Sequence, residues 1–81
     1  MLTDEEVFMP VVVAPKNVLL KVMKILIKDE KTKRHLENLG ILVNSEFTIL
    51  SESNGDIILR IKDTRLAINR DTALKILVAV C

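Results

Sequence analysis

The run Lys33-Arg34-His35-Leu36-Glu37-Asn38-Leu39-Gly40-Ile41 constrains this chain more than any other. Leu36 and Leu39 stand three apart and Thr32 stands four before Leu36, so a helix through them carries one narrow buried stripe. Lys31, Arg34 and Asn38 fall on the opposite side of that helix. Asp29 stands where an N-cap is needed. Gly40 stands just past the end, where a left-handed residue lets the last carbonyls be satisfied. The helix is therefore short, and strand-like sequence follows it at once.

Most of the remaining chain alternates in short segments separated by tight turns. Residues 20–27 place Leu20, Val22 and Leu26 on one face and Lys21, Met23, Ile25 and Ile27 on the other. Both faces are partly apolar, as in a small closed barrel whose outer face is covered by a helix. Val43-Asn44-Ser45 is a turn, and Phe47 and Ile49 share one face of the strand after it. Asn54-Gly55 is the strongest short hairpin signal in the chain. The returning strand, residues 56–61, sets Ile57, Leu59 and Ile61 against Ile58 and Arg60. Lys62-Asp63 turns again, and Leu66 and Ile68 alternate with Arg65 and Ala67. Asn69 caps a single helical turn over residues 71–75, with Asp71 favourable at its positive end. Ile76, Val78 and Val80 form the last strand.

At the other end, three valines, Val11-Val12-Val13, lie between Pro10 and Pro15. They favour a strand, and the prolines confine it to an edge or a short extended arm. Such an arm can add to the sheet edge of another subunit, so a homo-oligomer is an expectation. Asn17 turns the chain after it. Residues 1–6 have no periodicity and read as a frayed end. The division expected is a flexible N-terminal arm over residues 1–9 and one domain over residues 10–81, a partly open antiparallel barrel.

A chain of 81 residues is one domain with one modest core. It is 49% hydrophobic and 28% charged, which is a globular balance. Its only aromatics are Phe8 and Phe47. That excludes an aromatic groove for proline-rich peptides and a stacking platform for single-stranded nucleic acid. A formal net charge of +1 offers no large footprint for phosphate backbones, so no nucleic-acid partner is expected. The sole cysteine, Cys81, cannot form an internal disulfide, which fits a reducing compartment. The acidic start Asp4-Glu5-Glu6 is not a signal peptide, and no apolar run approaches the ~20 residues of a membrane span. A cytoplasmic location with no direct membrane insertion is expected.

Candidate chemistry is sparse. His35 is the only histidine and has no His or Cys at ligand spacing. It also lacks a nucleophile and an orienting group for catalysis. Asp29, Glu30, Asp56, Asp63 and Asp71 can in principle hold a hard cation, yet each also reads as a cap or turn residue. Lys28, Lys31, Lys33 and Arg34 cluster at the helix start. They are either a solvated face interleaved with acids or a docking surface for an acidic or phosphate-bearing partner. Gly40 and Gly55 are isolated and make no phosphate-cradling loop. No convergent polar site is visible, so enzyme activity is not expected.

Two segments resemble the FeoA family, the small cytoplasmic component of bacterial ferrous-iron uptake. Arg34-His35-Leu36-Glu37-Asn38-Leu39-Gly40-Ile41 matches that family's Arg-x-Leu-x-x-Leu-Gly-Ile-like helix. Lys62-Asp63-Thr64-Arg65-Leu66-Ala67-Ile68-Asn69-Arg70-Asp71-Thr72-Ala73 matches its Arg-Gly-x-x-Leu-Ala-Leu-Arg-x-x-x-Ala-like stretch. The resemblance covers roughly residues 10–80. Asn17, Asn44 and Asp63 stand where the family often has Gly, and Asn and Asp best replace Gly at positive φ. The family's loop before the returning strand is shortened to Ser53-Asn54-Gly55-Asp56.

The resemblance implies a mainly β, Src-homology-3-like antiparallel barrel. One short helix follows the first barrel strand, and a helical turn precedes the last. It implies a non-enzymatic accessory protein that docks on and modulates FeoB, the membrane permease with a cytoplasmic G domain. It does not imply a cofactor; Fe2+ association comes only through the family, and no metal site is identified. The expected contact is the exposed helix side, Lys31, Arg34, Glu37 and Asn38, with the adjoining turn Gly40-Ile41-Leu42. Leu42 is the most suggestive of these, because an apolar residue in a turn needs a neighbour, either the barrel end or a partner. The same module forms the C-terminal domain of metal-dependent repressors, so the alternative is a metal-responsive or ligand-sensing barrel acting through another chain.

Overall fold

The computed structural model describes residues 8–81, and the acidic run Asp4-Glu5-Glu6 lies outside them. Six strands form one wholly antiparallel sheet: β1 (Met9–Pro10), β2 (Leu19–Ile25), β3 (Glu46–Ser53), β4 (Asp56–Ile61), β5 (Thr64–Asn69) and β6 (Ile76–Val80). Helix α1 (Glu30–Asn38) joins β2 to β3, and α2 (Arg70–Leu74) joins β5 to β6. The strand order is β1-β6-β2-β3-β4-β5, so the last strand of the chain lies between the first two. A short 3-10 turn, Val11–Val13, follows β1 and packs against α2. Because α2 leaves β5 directly, this contact draws the two edges of the sheet together. The result is the small, mainly β, Src-homology-3-like barrel.

Alternation builds the interior. Leu20 and Val22 of β2, Phe47 and Ile49 of β3, Ile57, Leu59 and Ile61 of β4, and Ile76 and Val78 of β6 are all buried. No charged or polar side chain of the described residues joins them, so the core rests on apolar burial. The β3–β4 hairpin turns on Asn54 (φ 52°) and Gly55 (φ 88°), with Ser53 opposite Asp56. Two left-handed residues match the right-handed twist of the flanking strands.

Three expectations are corrected. The three valines are not an extended arm: Val11–Val13 is a 3-10 turn, with the Ala14 amide donating to the Val11 carbonyl at 3.1 Å. Val11 is 1% exposed, so its apolar side chain serves the chain's own core rather than a neighbour's sheet edge. Of the arm expected over residues 1–9, residues 1–7 lie outside the described residues, and Met9 pairs with Val78. The second correction concerns β2, whose register against β6 slips between Val22 and Lys24. That bulge at Met23 inverts the later alternation: Ile27 is buried and Leu26 is exposed, the reverse of the expected faces. The third concerns the β4–β5 turn, whose left-handed residue is Lys62 (φ 55°), not Asp63. Asn17 (φ 63°) and Asn44 (φ 78°) do adopt the left-handed region, as expected of Gly replacements.

Candidate docking surface

Helix α1 is set by its two ends. Asp29 caps it, its carboxylate accepting from the Thr32 amide at 3.0 Å and the Thr32 hydroxyl at 2.6 Å. The Thr32 hydroxyl bond, with the amide bond second, holds the Asp29 carboxyl below its ordinary value. At the other end the Gly40 amide donates to the Glu37 carbonyl at 3.0 Å and the Ile41 amide to the Leu36 carbonyl at 2.9 Å. These are the two bonds of a Schellman ending, and they require the left-handed φ of 94° at Gly40. Leu36 is the one fully buried residue of α1 and meets the core beside Ile41.

The turn that follows is pinned by side-chain and backbone bonds. The Leu42 amide donates to the Ser45 hydroxyl at 3.0 Å, and that hydroxyl donates to the Gly40 carbonyl at 2.9 Å. The Asn44 amide reaches the Val22 carbonyl, and the Val22 amide reaches the Ser45 carbonyl, each at 2.8 Å. Ile41 is thereby turned inward at 0% exposed, while Leu42 and Val43 face solvent at 45% and 51%. Leu42 is half exposed and stands beside Ile25 and Val43.

The five residues expected at the contact are divided between two grooves. Lys31, Arg34 and Asn38, with Glu30 and His35, line a shallow polar groove on the outer side of α1. Glu37 and Leu42, with Ile25, Lys33 and Val43, line a second groove of about 370 Å³. At about 100° per residue, Lys33 and Glu37 share a stripe that Lys31, Arg34 and Asn38 do not. The lining of the second groove is apolar at Ile25, Leu42 and Val43 and carries one cation, Lys33, and one anion, Glu37. Its missed members had a signal: Lys33 and Glu37 are four apart, and Val43 directly follows Leu42.

The remaining candidates are dispersed. His35 and Cys81 are exposed, and the Cys81 Sγ lies 3.9 Å from the Glu46 carboxylate. Among the described residues no three His, Cys, Asp or Glu side chains are grouped to hold a metal ion. Among the same residues no helix is long and apolar enough to cross a membrane.

An iron uptake regulatory protein (FeoA), solved by crystallography, superimposes with a TM-score of 0.78 at 21% identity, over 93% of this chain and 99% of that one. The FeoA-like protein from Clostridium acetobutylicum gives 0.77 at 23% identity, over 95% and 90%. A manganese-dependent transcriptional repressor gives 0.85 at 18% identity over 96% of this chain, which spans only 44% of that protein. At these identities the likeness establishes the fold. No curated protein sequence matches the chain. The FeoA domain family model matches residues 9–80, nearly the whole length, and the chain belongs to the FeoA domain family.

Proposed function

We propose that this chain is a non-enzymatic accessory protein of ferrous iron uptake that docks on the cytoplasmic part of a FeoB-type transporter and modulates it. The observation that carries the reading is the pair Leu42 and Val43, half exposed on a turn whose bonds leave them no freedom to fold inward. Adjacent apolar side chains on a rigid turn, beside the apolar Ile25, match the preformed anchor of a protein interface. Lys33 and Glu37 border this anchor, and Lys31, Arg34 and Asn38 line the adjoining polar groove of α1, where charge steers association more than it holds a complex.

Calorimetry of the protein against the cytoplasmic domain of the FeoB from the same genome, with and without guanine nucleotide, tests the reading. Saturable binding is expected. Leu42→Asp weakens it tenfold or more, because it loses the burial of the exposed part of the Leu, roughly 1 kcal/mol, and sets a carboxylate against an apolar contact. Arg34→Glu weakens it by about two- to fivefold, the scale of an exposed charge pair. A correctly folded protein that binds in no nucleotide state removes this reading.

The second reading is a metal-responsive regulatory module, favoured by the likeness to the manganese-dependent repressor. A sensor must bind its metal, whereas an adaptor need not. Titration with Mn2+ and Fe2+ separates the two, and saturable stoichiometric binding supports the sensor.

A further inference from the structure

The outer face of the barrel carries a like-charge pair that the fold does not need. Arg60 of β4 stands directly opposite Arg65 of β5. Ile61 and Thr64 flank the two-residue turn Lys62-Asp63 and close it as a hydrogen-bonded pair. The next pair out, Arg60 with Arg65, is therefore non-hydrogen-bonded, the narrow kind with Cα atoms about 4.5 Å apart. Both side chains are exposed and point away from the core residues Leu59, Ile61 and Ile68. Like charges directly opposite on one face destabilise a sheet.

Neither arginine is neutralised within the described residues. The one ion pair there joins Arg70 to Glu52 at 3.0 Å. The nearest acids are offset from the pair: Glu46 lies one row away, diagonal to Arg60 and opposite Lys21, and Asp63 lies in the turn itself. The pair also continues into a defined strip. Arg60 is opposite Thr48, and Thr48 is opposite Leu19, which is 47% exposed. Leu19, Thr48, Arg60 and Arg65 thus form one row across four adjacent strands, roughly 14 Å long at about 4.8 Å per strand. Ile58 opposite Ala67 borders the cationic end.

We propose that this row is a docking site for an acidic, extended segment of a partner protein, whose carboxylates the Arg60 and Arg65 guanidiniums clamp. Planar guanidiniums suit carboxylates through paired N–H donors. A bare phosphate engages only the cationic end, whereas a peptide also covers Thr48 and the exposed Leu19. The row shares no residue with the α1 grooves, so the proposal stands apart from the transporter reading.

The test titrates the isotope-labelled protein with a capped hexaglutamate peptide, and separately with inorganic phosphate at matched ionic strength. The peptide is expected to shift the arginine side-chain signals of residues 60 and 65 and the amides of 48, 58 and 67, saturably. Arg60→Gln or Arg65→Glu weakens binding roughly two- to fivefold, and Arg70→Gln leaves it unchanged. Arg65→Glu also raises Tm by roughly 1–6 °C, because it turns a repulsive pair into an attractive one. A map centred on Lys31 and Arg34, equal shifts from phosphate, or a lower Tm for Arg65→Glu overturns the proposal.

Discussion

The Ile41 amide donates to the Leu36 carbonyl at 2.9 Å, and both side chains are buried, 0% and 3% exposed. One bond thus ends α1 and ties its end to the core. The next residue, Leu42, has no inward direction left, so the device that stops the helix also aims the apolar patch at solvent. Structure and candidate function meet at this point of the chain.

Gly40→Val tests the helix ending. An added Cβ meets only Ile61 Cδ1 at 3.6 Å, an ordinary contact, so the cost is the left-handed backbone at φ 94°. Urea unfolding is expected to show a loss of about 1–3 kcal/mol. Gly40→Asn costs less, since Asn tolerates that conformation.

Ile41 and Leu42 are neighbours with opposite duties. Ile41→Ala removes a fully buried side chain and is expected to cost about 2–5 kcal/mol in the same unfolding assay. Leu42→Ala is expected to change stability by less than about 0.5 kcal/mol. Its effect belongs to partner binding.

Lys62 occupies φ 55° in the β4–β5 turn, is exposed, and makes no ion pair among the described residues. Lys62→Asn is expected to stabilise the protein by a few tenths to about 1 kcal/mol, because Asn adopts the left-handed region more readily. Thermal unfolding measures it, and a fall in Tm refutes it.

Asp29 gives α1 a pH dependence whose sign is fixed. Its folded value lies below the ordinary 3.8, held there by Thr32. Its contribution is fully present above the unfolded value, and is lost as pH falls through the lower folded value. Carboxyl NMR titration is expected to show the depressed midpoint in the native protein and its return toward 3.8 in Thr32→Val. Asp29→Asn is expected to abolish this acid-side change in α1.

The turns and alternating segments were legible because each rests on a local rule. Asn54-Gly55 sets a hairpin, Asn69 caps α2 by accepting from the Thr72 amide at 2.8 Å, and Gly40 ends α1. What escaped was decided by tertiary context. Three valines between two prolines satisfy strand propensity, yet Val11 gains more by entering the core from a 3-10 turn. The bulge at Met23 has no sequence signature of its own, so the exchange of Leu26 and Ile27 between faces was invisible. The candidate site was half legible. Exposure of the polar α1 residues follows from periodicity, whereas the joining of Leu42 with Ile25 and Lys33 needs three elements to meet.

The decisive measurement is chemical-shift mapping of the isotope-labelled protein with the cytoplasmic domain of the cognate FeoB. Saturable changes are expected, centred on Ile25, Lys33, Glu37, Leu42 and Val43, with smaller ones at Lys31, Arg34 and Asn38, all weakened at least tenfold in Leu42→Asp. Changes that spare Leu42 and Val43, or that survive Leu42→Asp undiminished, contradict docking through this turn.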